Sequence, residues 1–207
     1  MSGMSHGPEI AISGVILAGG KGSRMGGEDK GLIVWHGKPL YQHVLARLQP
    51  QVDEICISAN RNLEVYQQSG HSVITDSLAG FPGPLAGMLS ALRQAQHPWV
   101  VFAPCDTPAI PLNFVEQLVQ QRGDAHAVWV RSHTRDHPTL VLIHRDLTSS
   151  LSDYLQAGKR RLMQFLHEQG GHAVLLSDDE SAFHNINSPE DLNCAQNIST
   201  DENNSAC

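Results

Sequence analysis

The sequence contains few aromatic residues and few basic residues. Phe, Trp and Tyr together make up 5% of its 207 residues, too few for the stacking platforms that bind single-stranded nucleic acid. Fourteen lysines and arginines stand against 21 aspartates and glutamates, giving a formal net charge of −7. Such an acidic chain is a poor candidate for general binding of nucleic acid or of an anionic membrane surface. These shortages favour a protein that acts on small molecules.

The sequence also lacks long apolar runs and closely spaced cysteines. No apolar run approaches the roughly 20 residues of a membrane span, and the N-terminus has no charged segment followed by an apolar one. The four cysteines lie far apart, which indicates reduced thiols rather than a disulfide scaffold. The 12 histidines are scattered, so we expect no dedicated zinc site. We therefore expect a protein of the cytoplasm.

Apolar segments of strand length alternate with segments of helical periodicity. The predicted strands cover residues 10–18, 32–34, 54–59, 71–75, 99–103, 125–130, 139–144 and 172–176. The predicted helices begin at Pro39 and Pro111 or cover residues 85–92, 147–156 and 161–168. This alternation predicts a three-layer α/β/α fold with a mostly parallel, Rossmann-like central sheet. We expect one domain over residues 10–196 and flexible polar tails at 1–9 and 197–207.

A glycine-rich loop follows the first predicted strand. Residues 17–30 read L-A-G-G-K-G-S-R-M-G-G-E-D-K, and such a loop lets backbone N–H groups approach a phosphate closely. The dinucleotide fingerprint fails, because Met25 stands where the third glycine belongs. The P-loop pattern also fails, because Glu28 follows Gly27 where lysine is required. The loop therefore predicts a phosphate site of another kind.

Positive charge is concentrated around this loop. The chain has four lysines, and three of them, Lys21, Lys30 and Lys38, lie close to Arg24 in the sequence. A local positive site in an acidic chain is what an anionic ligand requires. The alternative is a solvated loop with incidental charges.

The loop resembles the signature of nucleotidyltransferases, and further segments are similar to the molybdenum cofactor guanylyltransferase family. These segments are D-K-G (29–31), G-K-P-L (37–40), S-A-N-R (58–61), Asp76 with G-P-L-A-G (83–87), P-C-D-T-P (104–108), D-H-P-T (136–139), R-R-L-M (160–163) and N-I-N-S-P-E (185–190). Their order along residues 12–196 makes the resemblance specific. It implies a nucleotide-binding half at 10–124 and an acceptor-binding half at 125–196.

The resemblance also implies a set of nucleotide-site residues. They are Leu17, Ala18, Gly19, Gly20, Lys30, Ser58, Asn60, Asp76 and Asp106. Ser58 replaces an asparagine that family members often carry, and its hydroxyl has a shorter reach than an amide. Asp106 follows a predicted central strand, where a lone carboxylate suits Mg²⁺. Without the resemblance, Asp106 could equally cap a helix and Asp76 could form a turn.

The expected reaction transfers GMP from GTP to the phosphate of molybdopterin, with release of pyrophosphate. Lys30, Asp106 and Arg24 are the implied catalytic residues, with Asp106 as the Mg²⁺ ligand. The implied acceptor-binding residues are Gly27, Gly83, Arg161, Asn185 and Asn187. Implied protein partners are molybdenum-insertion proteins, apo-molybdoenzymes and their chaperones. The alternatives are a cytidylyltransferase for the same cofactor, a sugar-phosphate nucleotidyltransferase and a non-catalytic nucleotide-binding or cofactor-carrier module.

Overall fold

The computed structural model describes residues 10–18, 24–25, 28–76, 83–186 and 191, and of residues 24, 25 and 28 it describes only the backbone. The strands are β1 (Ile12–Leu17), β2 (Arg24–Met25), β3 (Glu28–Asp29), β4 (Val34–Trp35), β5 (Lys38–Pro39), β6 (Glu54–Ser58), β7 (Ser72–Ile74), β8 (Trp99–Pro104), β9 (Ala127–Arg131), β10 (Asp136–His144) and β11 (His172–Leu175). The helices are α1 (Leu40–Leu48), α2 (Leu63–Gln67), α3 (Pro84–Gln94), α4 (Phe114–Gln121), α5 (Thr148–Gln156) and α6 (Leu162–Glu168). None of these helices is long and apolar enough to cross a membrane.

Seven strands form one mostly parallel sheet. Their spatial order is β11-β9-β10-β8-β1-β6-β7, and β10 runs against both of its neighbours while the other adjacent pairs are parallel. β1 lies at the centre, with Val15 paired to Cys56 on β6 and to Phe102 on β8. The predicted fold class is therefore confirmed.

Alternating side chains of the strands form two hydrophobic cores, because successive residues of a strand point to opposite faces. Ile16 of β1 belongs to the core that α1, α2 and α4 cover, whereas Val15 belongs to the core under α3, α5 and α6. Both side chains are almost fully buried. A central strand of a sheet covered by helices on both faces is buried throughout, as β1 is.

The structure differs from the prediction in two local elements. The strand predicted at 32–34 is wrong at its start, because Lys30–Leu32 is a 3₁₀ helix whose N-cap Asp29 accepts a hydrogen bond from the amide of Gly31, and β4 begins only at Val34. Helix α2 was not predicted, and its five residues are too few to establish a helical period. The predicted tails at 1–9 and 197–207 lie outside the described residues.

The ends of the strands lie along two opposite sides of the sheet. The first, which we call the carboxyl edge, holds the C-terminal ends of β1, β6, β7, β8, β9 and β11 and the start of β10. The opposite edge, called the amino edge, holds the start of β8 and the end of β10, where Trp99 pairs with His144. Ligands of open parallel sheets bind at the carboxyl edge.

Candidate active site

Predicted site residues lie at or just after the ends of four strands, at the carboxyl edge. Backbone hydrogen bonds join the amide of Ala18 to the carbonyl of Ser58 at 2.8 Å, and the amide of Cys105 to the carbonyl of Leu17 at 3.1 Å. The amide of Ala59 likewise donates to the carbonyl of Ile74 at 3.0 Å. The ends of β1, β6, β7 and β8 are thereby held side by side.

Lys30, which is buried, and Asp106, which is partly buried, form an ion pair at this edge. The ammonium nitrogen of Lys30 lies 3.8 Å from Oδ2 of Asp106, and the two side chains are 9% and 15% exposed. Burial raises the pKa of Asp106, while Lys30 and a backbone hydrogen bond oppose the rise. The carboxylate therefore depends on nearby positive charge to stay ionised in this place.

The turn that carries Lys30 is held by Asp29. One carboxylate oxygen of Asp29 accepts the amide hydrogen of Gly31 at 3.1 Å, and the other accepts from the side-chain amide of Asn62 at 3.2 Å. Gly31 must lack a side chain, because a Cβ atom there would lie 2.5 Å from the hydroxyl of Tyr66. The D-K-G motif thus has a steric reason for its glycine.

Asn60 holds Asp76 in place. Its amide nitrogen donates to Oδ2 of Asp76 at 2.9 Å, and its amide oxygen accepts the backbone N–H of Asp76 at 3.0 Å. The other carboxylate oxygen of Asp76, Oδ1, is buried and has no hydrogen-bond partner among the described residues. A buried acceptor of this kind is available to a ligand that brings a donor.

Ser58, Asp76 and Gly87 lie close together near the carboxyl edge, and we call this group the cradle. A Cβ atom at Gly87 would lie 2.9 Å from Oγ of Ser58, 3.6 Å from Oδ1 of Asp76 and 3.7 Å from a side-chain carbon of Leu17. The missing side chain at Gly87 therefore lets α3 pack closely against the ends of β1 and β6. Gly83, the N-cap of α3, has φ 94°, a conformation that glycine adopts without strain.

A pocket of about 210 Å³ lies on the other side of Asp106. It is lined by Pro104, Thr107, Asn185 and residues 135–140. The hydroxyl of Thr107 donates to the side-chain oxygen of Asn185 at 2.6 Å, and the amide of Ile186 donates to the carbonyl of Asp106 at 2.9 Å. These bonds bring the segment 184–186 to the carboxyl edge.

The outer wall of this pocket comes from the start of β10. The β9–β10 register shifts between His137 and Val141, and Pro138 in this stretch has no N–H to donate to a ladder. His137 is buried, stacks on Phe183 at 5.1 Å and lies with Nε2 3.0 Å from the hydroxyl of Ser132. Burial and the neighbouring Arg135 lower the pKa of His137. The ring therefore stays uncharged at neutral pH and packs as part of the wall.

The family model described as "MobA-like NTP transferase domain" matches residues 14–173, which include the Lys30–Asp106 pair and the cradle. This chain belongs to that family.

Two curated relatives of this MobA-like transferase have the same name. The protein of Serratia proteamaculans (strain 568), named molybdenum cofactor guanylyltransferase, is 51% identical over 180 residues, which cover 87% of this chain and 91% of the relative. The protein of Yersinia pestis (strain Pestoides F) has the same name and is 50% identical over 180 residues, 87% of this chain and 92% of the relative. The resemblance to molybdenum cofactor guanylyltransferases and the prediction of a nucleotidyltransferase are thereby confirmed.

Two solved structures of biosynthetic proteins have folds similar to this one. A molybdopterin-guanine dinucleotide biosynthesis protein A from Archaeoglobus fulgidus superposes with a TM-score of 0.72 at 23% identity, covering 91% of this chain and 99% of that chain. A CMP:2-keto-3-deoxy-manno-octonic acid synthetase complexed with CTP gives a TM-score of 0.72 at 16% identity over 93% and 99% of the two chains. At these identities the likeness concerns the fold of the transferase.

The structure brings most predicted site residues of the transferase to the carboxyl edge. These are Leu17, Ala18, Lys30, Ser58, Asn60, Asp76, Gly83, Asp106 and Asn185. Gly19, Gly20, Gly27 and Asn187 lie outside the described residues. For Arg24 the structure describes only the backbone, which pairs with Asp29 in the β2–β3 hairpin. The structure shows positions only, and the roles of all the predicted site residues stay predictions.

Arg161 occupies a different part of the transferase from the Lys30–Asp106 pair. Its side chain is exposed, and its carbonyl accepts a hydrogen bond from the hydroxyl of Tyr154 at 2.8 Å. Arg161 lies in the connection between α5 and α6. Helix α6 leads to the start of β11 at the amino edge, so the other end of α6, next to Arg161, lies on the side of the carboxyl edge. Its role in binding the acceptor stays a prediction.

Sequence reasoning did not identify three contributors to the site of the transferase. Thr107 anchors Asn185, Gly87 lets α3 approach Ser58 closely, and Asn62 supports Asp29. Thr107 and Gly87 lie in motifs quoted for the resemblance, so their motifs were the available signal. No sequence signal singled out Asn62, because its contact with Asp29 depends on the position of α2.

Proposed function

We propose that this protein transfers the GMP moiety of GTP to the phosphate of molybdopterin or of the molybdenum cofactor, forming the guanine dinucleotide cofactor and releasing pyrophosphate. The name of the relatives at about 50% identity supports the choice of guanine and of this acceptor. The observation that carries the proposal is the position of the Lys30–Asp106 pair. In the strand order it lies between the pocket beside β10 and the cradle at β6 and β7.

The cradle is the proposed site of the nucleoside. Oδ1 of Asp76 would accept a hydrogen bond from the base or the ribose, because it is buried and has no partner among the described residues. Asn60 would orient this carboxylate through its two hydrogen bonds. Leu17 and Ala18 at the end of β1 would meet the nucleotide through main-chain groups.

The triphosphate would extend from the cradle towards Lys30. In the reaction, a phosphate oxygen of the acceptor forms a bond to the α-phosphorus of GTP while the bond from that phosphorus to the pyrophosphate oxygen breaks. Such a transfer depends on positioning and on neutralising charge. Lys30 would stabilise negative charge on the α-phosphate, and Arg24 would do so on the pyrophosphate. The attacking phosphate is already an anion at pH 7, so the chain needs no general base.

Asp106 is the proposed ligand of Mg²⁺. Its carboxylate lies at the carboxyl edge, and burial raises its pKa, so a cation beside it would offset the cost of burying this charge. A single carboxylate together with substrate phosphates is a donor set typical of Mg²⁺ sites. When bound, Mg²⁺ would supply charge neutralisation at the reacting phosphates.

The pocket beside β10 is the proposed site of the acceptor. Arg135, Thr107 and Asn185 would supply a guanidinium, a hydroxyl and an amide to the phosphate and the polar pterin. The predicted contributions of Gly27, Arg161 and Asn187 complete this proposal.

Pyrophosphate release and product mass test the proposed function. The purified protein is incubated with Mg²⁺, molybdopterin and GTP, CTP, ATP or UTP in turn. We expect pyrophosphate and the guanine dinucleotide with GTP, at least about tenfold faster than with the other nucleotides. A cytosine dinucleotide as the main product would retain the mechanism and overturn the guanylyl assignment. Absence of pyrophosphate with all four nucleotides would contradict the transferase assignment itself.

The proposed reaction takes place in the cytoplasm. The free thiols of Cys56 and Cys105 suit a reducing compartment. The product would pass to apo-molybdoenzymes or their chaperones, and molybdenum-insertion proteins would supply or receive the cofactor.

A further inference from the structure

Three metal-ligating side chains meet at the amino edge, away from the active site. His126 lies in the connection between α4 and β9, His144 ends β10, and Asp146 lies in the 3₁₀ helix that follows. One ligand atom from each lies within 4.8 Å of the others, and no other such group of three was found in the described part of the chain. β10 runs from the pocket to this cluster, and four residues, or roughly 13 Å of strand, separate Leu140 of the pocket lining from His144.

The backbone fixes the two histidines beside each other. The amide of His144 donates to the carbonyl of His126 at 2.8 Å, which extends the β9–β10 ladder to this edge. The two rings stack with centroids 5.0 Å apart, and the indole of Trp99 meets the ring of His144 edge-on at 4.8 Å. Two imidazoles are therefore held close together against an aromatic wall.

His144 and Asp146 already have the spacing of metal ligands. Nδ1 of His144 lies 3.3 Å from Oδ2 of Asp146. Ligand atoms at about 2.0–2.2 Å from a shared tetrahedral ion lie at a similar distance from each other. His126 and Asp146 are exposed, so rotation of their side chains can bring a ring nitrogen of His126 closer to the ligand atoms of His144 and Asp146. The amide of Asp146 donates to the same nitrogen at 3.1 Å, and a metal ion there would replace this hydrogen bond.

We propose that His126, His144 and Asp146 bind a divalent transition-metal ion such as Zn²⁺ or Ni²⁺. Two imidazoles and one carboxylate suit these ions rather than Mg²⁺, which prefers oxygen ligands. His126 also lines a neighbouring pocket of about 450 Å³, so a fourth position of the ion can face solvent or a small ligand. The site differs from the sequence-based expectation that the scattered histidines form no zinc site.

The local charge sets the expected strength of binding. The three ligands include one carboxylate, and Asp124 lines the neighbouring pocket together with His126. Arg145 adjoins Asp146 in the sequence, and the guanidinium of Arg122 lies 5.2 Å from the centroid of the Trp99 ring. These cations oppose a second positive charge. We therefore expect a dissociation constant on the order of micromolar, weaker than that of structural zinc sites with four ligands.

Zn²⁺ titration of the untagged protein tests the proposal. Calorimetry is expected to show that the wild-type protein binds one equivalent of Zn²⁺. The double variant His126→Ala/His144→Ala should bind Zn²⁺ at least about tenfold more weakly than the wild-type protein does. The matched control His71→Ala removes an imidazole elsewhere and is expected to bind as the wild-type protein does. In two-dimensional ¹H–¹⁵N spectra, the amide of Asp146 should be among the most shifted, because its acceptor is taken by the ion.

A third variant covers the case in which the double variant does not fold. The side chain of Asp146 is 66% exposed, so Asp146→Asn should leave the fold intact and weaken Zn²⁺ binding severalfold. Binding that is equally tight in the wild-type protein and Asp146→Asn would overturn the proposal. So would the absence of binding tighter than about 1 mM in the wild-type protein.

Discussion

At the scale of single residues, the site depends on one cation placed inside the protein. Lys30 is 7% exposed, and a lysine is rarely buried to this extent unless it has a partner of opposite charge. Asp106 is that partner in the described structure. A bound triphosphate would add further negative charge, so the ammonium group is held where charge develops in the reaction.

Replacing Lys30 with methionine should lower kcat more than about 100-fold, which corresponds to on the order of 3 kcal/mol of transition-state stabilisation. Methionine fills the space but provides no charge. Steady-state pyrophosphate release with GTP and molybdopterin measures the effect. Lys38→Met is the matched control, because Lys38 is exposed and only its charge is lost. A loss of less than about fivefold for Lys30→Met would refute the role given to this residue.

Gly31→Ala should destabilise the protein by about 1–3 kcal/mol and reduce activity, because the new Cβ atom collides with the hydroxyl of Tyr66. The collision displaces the turn that carries Lys30. Urea unfolding and pyrophosphate release measure the two effects. The double variant Gly31→Ala/Tyr66→Phe lacks the colliding hydroxyl and should recover at least half of the lost stability. If it recovers none, the steric explanation is wrong.

At the scale of elements, a segment near the C-terminus completes a pocket built by β8 and β10. Thr107 and Asn185 are 78 residues apart in the sequence, yet their side chains form a 2.6 Å hydrogen bond. Ile186 packs with Ile33 and Leu40, so the segment 184–186 also contacts the region after the glycine-rich loop. One segment thus links the proposed acceptor and nucleotide sides.

Thr107→Val should raise KM for molybdopterin several-fold while KM for GTP changes little, because valine has the shape of threonine but cannot donate to Asn185. Separate titrations of the two substrates in the pyrophosphate assay measure this difference. Thr107→Ser keeps the hydroxyl and should behave like the wild-type protein. An equal rise in both KM values would show that the bond does not act specifically on the acceptor side.

The elements differ in how far the sequence predicts them. α1 and β8 were predicted because their apolar residues recur with a clear period or form a short continuous run. The strands β2 to β5 have two residues each, which is too short for an alternation of apolar and polar residues to show in the sequence. The Lys30–Asp106 and Thr107–Asn185 pairs depend on how distant segments pack, which spacing along one chain does not reveal.

At the scale of the whole molecule, a buried histidine links stability to pH. His137 is 7% exposed, and burial and Arg135 lower its pKa while Asp136 and Glu180 oppose the shift. The unfolded chain takes up this proton near pH 6.5 and the folded chain at a lower pH. Its contribution to stability is therefore complete above about pH 6.5 and is lost as pH falls from there towards the folded pKa.

The free energy of unfolding should therefore fall between pH 7 and pH 5.5, with His137 contributing at most about 1.4 kcal/mol per pH unit. Urea titrations across this range measure the slope. His137→Gln retains a hydrogen-bonding side chain without a charge change and should show a shallower slope. Identical slopes for the two proteins would contradict the assignment to His137.

The central position of β1 has a consequence for synthesis. All six of its residues are buried, and it pairs with β6 on one side and β8 on the other. On the ribosome, β1 emerges first but remains without its second neighbour until Trp99–Pro104 has left the exit tunnel. Sheets built from such distant pairings form slowly and expose apolar strands in the meantime. The side of β1 that pairs with β8 is therefore exposed on the nascent chain until Trp99–Pro104 becomes available.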